Sequence, residues 1–130
     1  MTHPPKKPVF CRKLTSSFKY AIRGIIYAFK TQRNLKIHTI MAMVVLTLSY
    51  VLKVTTIELL ILLLSTFLVI VTEIINSAIE KNIDLYTSEV DRNAMLGKDM
   101  AAGAVLMSTI NATIIGSIIF IPKLIILINT

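Results

Sequence analysis

Apolar residues dominate three long stretches of the chain, and polar residues gather before and between them. From Leu35 to Val54 the pattern centres on the apolar run Ile40 to Leu52 and is flanked by Lys36, His38 and Lys53. A hydrocarbon core of about 30 Å needs roughly 20 helical residues, so this stretch spans it if the flanking lysines reach outward along their methylene stems. A second span is expected over 57–83, continuously apolar from Ile57 to Val71, and a third over 100–121, ending at Pro122-Lys123. Beyond that proline, Leu124 to Ile128 either lie against the outer interface or extend the helix past a kink. Lys53 to Glu58 reads as a short external turn in which β-branched residues do little for a helix. Lys81 to Asp99, the most polar stretch outside the amino terminus, reads as the cytoplasmic connection.

Ahead of the spans the period changes. Phe18, Ile22, Ile25 and Phe29 recur at helical steps, with Lys19, Arg23, Lys30 and Arg33 between them. This predicts an amphipathic helix over 15–34, capped by Thr15 or Ser16, with its apolar face in the acyl boundary and its basic side near phosphates. Packing of that face on other protein helices is the alternative. Residues 1–14, with Pro4, Pro5 and Pro8, are expected to form a disordered basic tail, and 15–130 a single membrane domain. In the third span, Ala101, Ala102, Gly103, Ala104, Gly116 and Ser117 would let the helix approach a neighbour closely.

Composition supports the same class. At 55% hydrophobic and 16% charged, 130 residues are too apolar for an ordinary soluble domain and read as an all-α integral membrane protein. Lys6 to Lys36 holds nine of the fourteen Lys and Arg and no Asp or Glu, which predicts a cytoplasmic amino terminus and attraction to anionic lipid. The net charge of +7 would also suit nucleic acid, but no zinc-ligand spacing, helix-turn-helix pattern or aromatic RNA motif accompanies it, so no nucleic-acid partner is expected. Cys11 is the only cysteine and allows no intrachain disulfide. The basic start does not resemble a removable signal peptide.

The candidate chemistry lies at the end of the second span. Glu73, Asn76, Glu80 and Asp84 follow at steps of three, four and four, one polar stripe on an otherwise apolar helix. Ionisable groups in a membrane span are costly and mark function more often than decoration. Two carboxylates and an amide on one face suit a site that binds a divalent metal and moves a proton. The other readings are hydrogen bonding that only holds helices together, or a cation pathway. Lys98-Asp99 opens the third span at the same level, where Lys98 could neutralise phosphate and Asp99 could meet an ion or cap the helix. Gly97-Lys98-Asp99 lacks the upstream glycine and the Ser/Thr of a Walker loop. His38 reads as an interfacial anchor rather than a ligand.

Glu-Ile-Ile-Asn-Ser-Ala-Ile-Glu at 73–80, Asp84, and Lys-Asp-Met-Ala-Ala-Gly-Ala-Val-Leu at 98–106 resemble the signature of the prokaryotic-type diacylglycerol kinase family. The likeness runs from about Phe18 to Lys123. It implies an interfacial helix with three spans, a homotrimer with composite sites between subunits, and transfer of phosphate from magnesium ATP to a lipid alcohol, diacylglycerol or undecaprenol. By position, Glu73 resembles the general base, Asn76 its neighbour, Glu80 a metal ligand, and Lys98 and Asp99 the nucleotide-contacting pair, with Asp84 beside them. The different-class alternative is a non-enzymatic oligomeric membrane protein.

The resemblance has one departure. The family's interfacial helix supplies a second acidic metal ligand, and the ungapped match places Gln32 there. An amide oxygen still suits magnesium but carries no charge. Gln32→Glu is expected to keep or raise magnesium affinity, read from the magnesium dependence of phosphate transfer; loss of activity in that variant would count against the assignment.

Overall fold

The structure, a computed structural model, describes residues 14–86 and 91–129. Four helices, and among these residues no strand, follow in order: α1 (Leu14–Thr31), α2 (Arg33–Val51), α3 (Thr56–Tyr86) and α4 (Arg92–Ile128). The last three are each long and apolar enough to cross a membrane. Only a chain that bonds its own backbone can do so, and the span hydroxyls follow the same rule. Thr39, Thr47, Thr66, Thr109 and Thr113 each donate to the carbonyl four residues back, at 2.7–2.9 Å.

The helix bounds differ from those read off the sequence, each for a local reason. α1 ends at Thr31 rather than 34 because Gln32 is extended (φ −95°, ψ 118°), and α2 restarts at the next residue. α1 already contains Thr15 and Ser16, so neither stands ahead of it as a cap. The connection expected over Lys81 to Asp99 is mostly helix. Asp91 starts α4 early by accepting from the N–H groups of Asn93 and Ala94 at 2.6 and 3.1 Å. That cap role falls to Asp91 and not to Asp99, which lies about two turns inside the helix. α4 also continues through Pro122 to Ile128, the extended alternative, although the proline offers no N–H to the carbonyl of Ile118. Residues 87–90 and residues 1–13 of the tail expected over 1–14 lie outside the described residues, while Leu14 already belongs to α1.

At 19 residues α2 is about 28 Å long and matches the hydrocarbon thickness. The 31 residues of α3 and 37 of α4 reach about 46 and 55 Å and project well beyond it. α3 and α4 form the most extensive helix pair. Their contacts step up one helix and down the other in equal strides. Lys123 Nζ meets Glu58 Oε2 at 3.1 Å; Leu62 packs in a core with Ile119 and Phe120; the Thr72 and Ser108 hydroxyls share a hydrogen bond at 2.9 Å; Lys98 pairs with Asp84. Near that last contact a Cβ at Gly97 would stand 3.2 Å from Ile83 Cδ1, so a larger residue there would need the end of that side chain to shift slightly. Gly103, by contrast, has open space around it, so its small size serves no contact within the chain. α1 docks only near its end, where Ala28 is buried, while Phe18, Ile22 and Ile25 stay exposed, as an acyl-facing stripe would be.

The turn between α2 and α3 is short. Lys53 takes a left-handed φ of 49°, and Thr55 and Glu58 then form a reciprocal cap: Thr55 N–H donates to Glu58 Oε2 at 2.7 Å and Glu58 N–H to Thr55 Oγ1 at 3.3 Å. The β-branched run thus starts the helix it was expected to hinder. Thr55→Ala is expected to cost about 1 kcal/mol, the usual loss for such a cap, and to lower the thermal midpoint in micelles. An unchanged midpoint would show that the cap adds nothing.

Candidate active site

Glu73 is 3% exposed, walled by the apolar residues of α3 and by α2. Asn34, in the first turn of α2, hydrogen-bonds its carboxylate, and His38 and Glu80 stand within electrostatic reach. Because α2 fits the hydrocarbon slab end to end, a partner in its first turn places Glu73 at the slab's boundary. Glu80 and Asp84 then lie about 10 and 16 Å further along α3, beyond that boundary. Glu73 is thus a buried carboxylate near that boundary, with further acidic groups along the same helix beyond it.

Asn76 joins Glu73 to Glu80 along the stripe. It is 6% exposed; its Nδ2 donates to Glu80 Oε1 at 3.0 Å, while its Oδ1 is buried without a hydrogen-bond partner. A buried carbonyl oxygen left this way costs about 1–3 kcal/mol, which a donor arriving with a ligand would recover. Asp84 and Lys98 form an ion pair across the α3–α4 seam, so Lys98 faces the stripe. Asp99 is exposed and, one residue later on α4, is turned about 100° from Lys98.

Gln32 is half-buried in the break between α1 and α2, and its side chain caps neither helix. Its neighbours fix its level. Five residues earlier, Tyr27 lies under Lys81 Nζ, 5.0 Å from the ring centre; two residues later, Asn34 holds Glu73. Gln32 therefore stands at a level of α3 between Glu73 and Lys81. The structure brings Glu73, Asn76, Glu80 and Gln32 to one end of the bundle, with Asp84–Lys98 beside them and Asp99 directed elsewhere. Among the described residues no three His, Cys, Asp or Glu side chains form a ready-made metal cage. The oxygens available, a Glu80 carboxylate, the Gln32 amide and the orphaned Asn76 Oδ1, suit magnesium, which commonly takes one or two carboxylates and completes its shell with phosphates and water.

Two residues of this site carried weak sequence signals. Asn34 was hidden in the basic run before the first span, and His38 looked like an anchor. Both interrupt the apolar face of one helix at i and i+4, the spacing that puts them side by side toward a partner. His38 also lines one end of a cavity of about 420 Å³ between α2 and α4, which runs past Val45, Val69 and Phe120 to Leu124. Its walls are mostly apolar, with threonine hydroxyls already turned to the backbone.

Three membrane-length helices make this an integral membrane protein, with a buried carboxylate near one end of the bundle. The chain belongs to the prokaryotic diacylglycerol kinase family, whose model matches residues 19–120. It is 40% identical over 112 residues to a diacylglycerol kinase of Synechocystis sp., a match covering 85% of this chain and 64% of that protein, so it spans slightly less than two thirds of that relative. An undecaprenol kinase of Bacillus subtilis is 38% identical over 108 residues, 83% of this chain and 88% of its own. A diacylglycerol kinase of Haemophilus influenzae is 29% identical over 108 residues, 82% and 92% respectively.

Proposed function

We propose that this protein transfers the γ-phosphate of ATP to the primary hydroxyl of diacylglycerol, giving phosphatidic acid, with Glu73 as the general base. The observation that carries this reading is the position of Glu73: buried, held by Asn34, and at the level where a lipid hydroxyl meets the aqueous phase. Glu73 accepts the hydroxyl proton as the lipid oxygen attacks the γ-phosphorus and the bond to the departing ADP oxygen breaks. Asn76 Oδ1, unpartnered beside it, accepts from the incoming hydroxyl or from a ligand water. Lys98, already turned toward the stripe by Asp84, supplies positive charge to the phosphates, and Asp99 contacts the nucleotide from the outer side of α4. Glu80 and the Gln32 amide oxygen would hold magnesium, which when bound neutralises the charge on the transferring phosphate.

The reading includes a cytoplasmic amino terminus in the inner membrane, supported by the basic charge ahead of α2. It also includes a homotrimer, supported by the exposed apolar surfaces of α3 and α4 and by Ala102 and Ala104, which face away from the chain's own helices. Undecaprenol is the second substrate reading. The Bacillus relative that carries that name is covered over most of its length, and both lipids offer a primary hydroxyl on an apolar body.

The test is transfer of labelled γ-phosphate by the full chain in mixed micelles holding either lipid, with and without magnesium. Magnesium-dependent labelling of diacylglycerol is expected; labelling of undecaprenol alone would move the substrate to the second reading. Glu80→Ala should assemble as the wild type does yet transfer phosphate at least about a hundredfold more slowly. Unchanged activity would remove Glu80 from the mechanism.

A further inference from the structure

The junction of α1 with α2 does not by itself hold α1 against the bundle. Gln32, the single extended residue between them, caps neither helix with its side chain, so contacts beyond the break must set the position of α1. Two such contacts stand side by side. Ala28 is buried, and next to it the Tyr27 ring lies under Lys81 Nζ, 5.0 Å from the ring centre. Lys81 follows Glu80 on α3, turned about 100° from it, and Ile83, which lies beside Gly97 of α4, is turned about 160° from Lys81. Glu80 and Asp84 therefore lie between α4 on one flank and the end of α1 on the other. Asp84 is taken by Lys98, which leaves Lys81 no carboxylate partner among the described residues and its charge for the ring. Tyr27 and Gln32 are also tied to each other. The Tyr27 carbonyl accepts from Thr31 Oγ1 at 2.9 Å and the Ala28 carbonyl from the Gln32 N–H at 2.8 Å, so fixing the ring fixes the amide-bearing residue.

We propose that Tyr27 and Lys81 form a latch that holds the end of α1 on α3 and thereby sets the Gln32 amide relative to Glu80. The role rests on the reading of Gln32 and Glu80 as the residues that would hold magnesium. Both latch residues are positioning residues, touching neither lipid nor nucleotide. Attraction between an ammonium and an aromatic face at an exposed site corresponds to about a two- to fivefold effect on an equilibrium.

The latch has a signature that a charge effect alone lacks. Removing the Lys81 charge by itself should strengthen binding of a cation nearby, whereas losing the latch should weaken it. The measurement is binding of manganese alone, a hard cation with the same preference for oxygen, to the full chain in micelles. Tyr27→Leu should weaken it about two- to fivefold and raise the magnesium needed for half-maximal transfer equally, with kcat at saturating magnesium unchanged. Tyr27→Phe, which keeps the ring, should bind as the unaltered protein does. The change caused by Lys81→Gln should be less favourable by the same two- to fivefold with Tyr27 present than in the Tyr27→Leu background. Without metal, hydrogen exchange of residues 27–32 should quicken in Lys81→Gln but not in Lys81→Arg, while α3 and α4 keep their protection. That arm needs no change at Tyr27 and stands if Tyr27→Leu folds poorly. Additive effects in the cycle, equal loss in Tyr27→Phe and Tyr27→Leu, or unchanged exchange in Lys81→Gln would overturn the latch and leave the kinase reading standing. No manganese binding by the unaltered protein would overturn the Gln32 and Glu80 assignment and the latch with it. A latch that passes these tests in a protein that transfers no phosphate would overturn the kinase reading alone.

Discussion

The constraint on which the rest of this structure depends is the placing of a carboxylate where water ends. Glu73 needs apolar walls to be kept from solvent and polar neighbours to be tolerated, and only the end of a membrane bundle offers both. Asn34 supplies the hydrogen bond from α2, and the stripe continues through Asn76 to Glu80 on the polar side. A shorter α3 would end at the hydrocarbon boundary and leave no scaffold for Glu80 and Asp84. The 31-residue helix instead carries the acidic stripe outward as one rigid element. The distance between Glu73 and Glu80 is thereby set by helical rise alone.

The antiparallel seam of α3 and α4 keeps that element in register. Ion pairs close both ends, Glu58 with Lys123 and Asp84 with Lys98, and a small apolar core and a shared hydroxyl bond lie between. Exposed ion pairs contribute little stability, on the order of 0–1 kcal/mol each, so their value here is to fix rotation and level. A slip of α4 by one residue would turn Lys98 away by about 100°, to where Asp99 now points. A larger residue at Gly97 would press on the end of the Ile83 side chain at this end of the seam.

Much of this was legible in the residues. The three spans and the interfacial helix follow from period and run length, and the stripe follows from the three-four-four spacing of Glu73, Asn76, Glu80 and Asp84. What could not be read was set by pairwise geometry or by single hydrogen bonds. Asp91 extends α4 by capping it early, which hydropathy does not register. Thr55, a β-branched residue that helix propensity alone disfavours, makes a reciprocal cap with Glu58. Asn34 and His38 gain meaning only when α2 is laid beside α3, since nothing in their own segment distinguishes a side chain that faces a buried carboxylate from one that faces headgroups. Asp99 shows the converse: adjacency to Lys98 in sequence puts it on a different face.

The most direct measurement is the rate of phosphate transfer by Glu73→Gln, which keeps the shape and the Asn34 partner but removes the basic oxygen. With assembly and ATP binding matched to the unaltered protein, transfer should fall by at least about a hundredfold, the contribution of a positioned general base. Transfer within a few-fold of the unaltered rate would contradict the account, because the buried carboxylate would then be structural and the proton of the lipid hydroxyl would leave by another route.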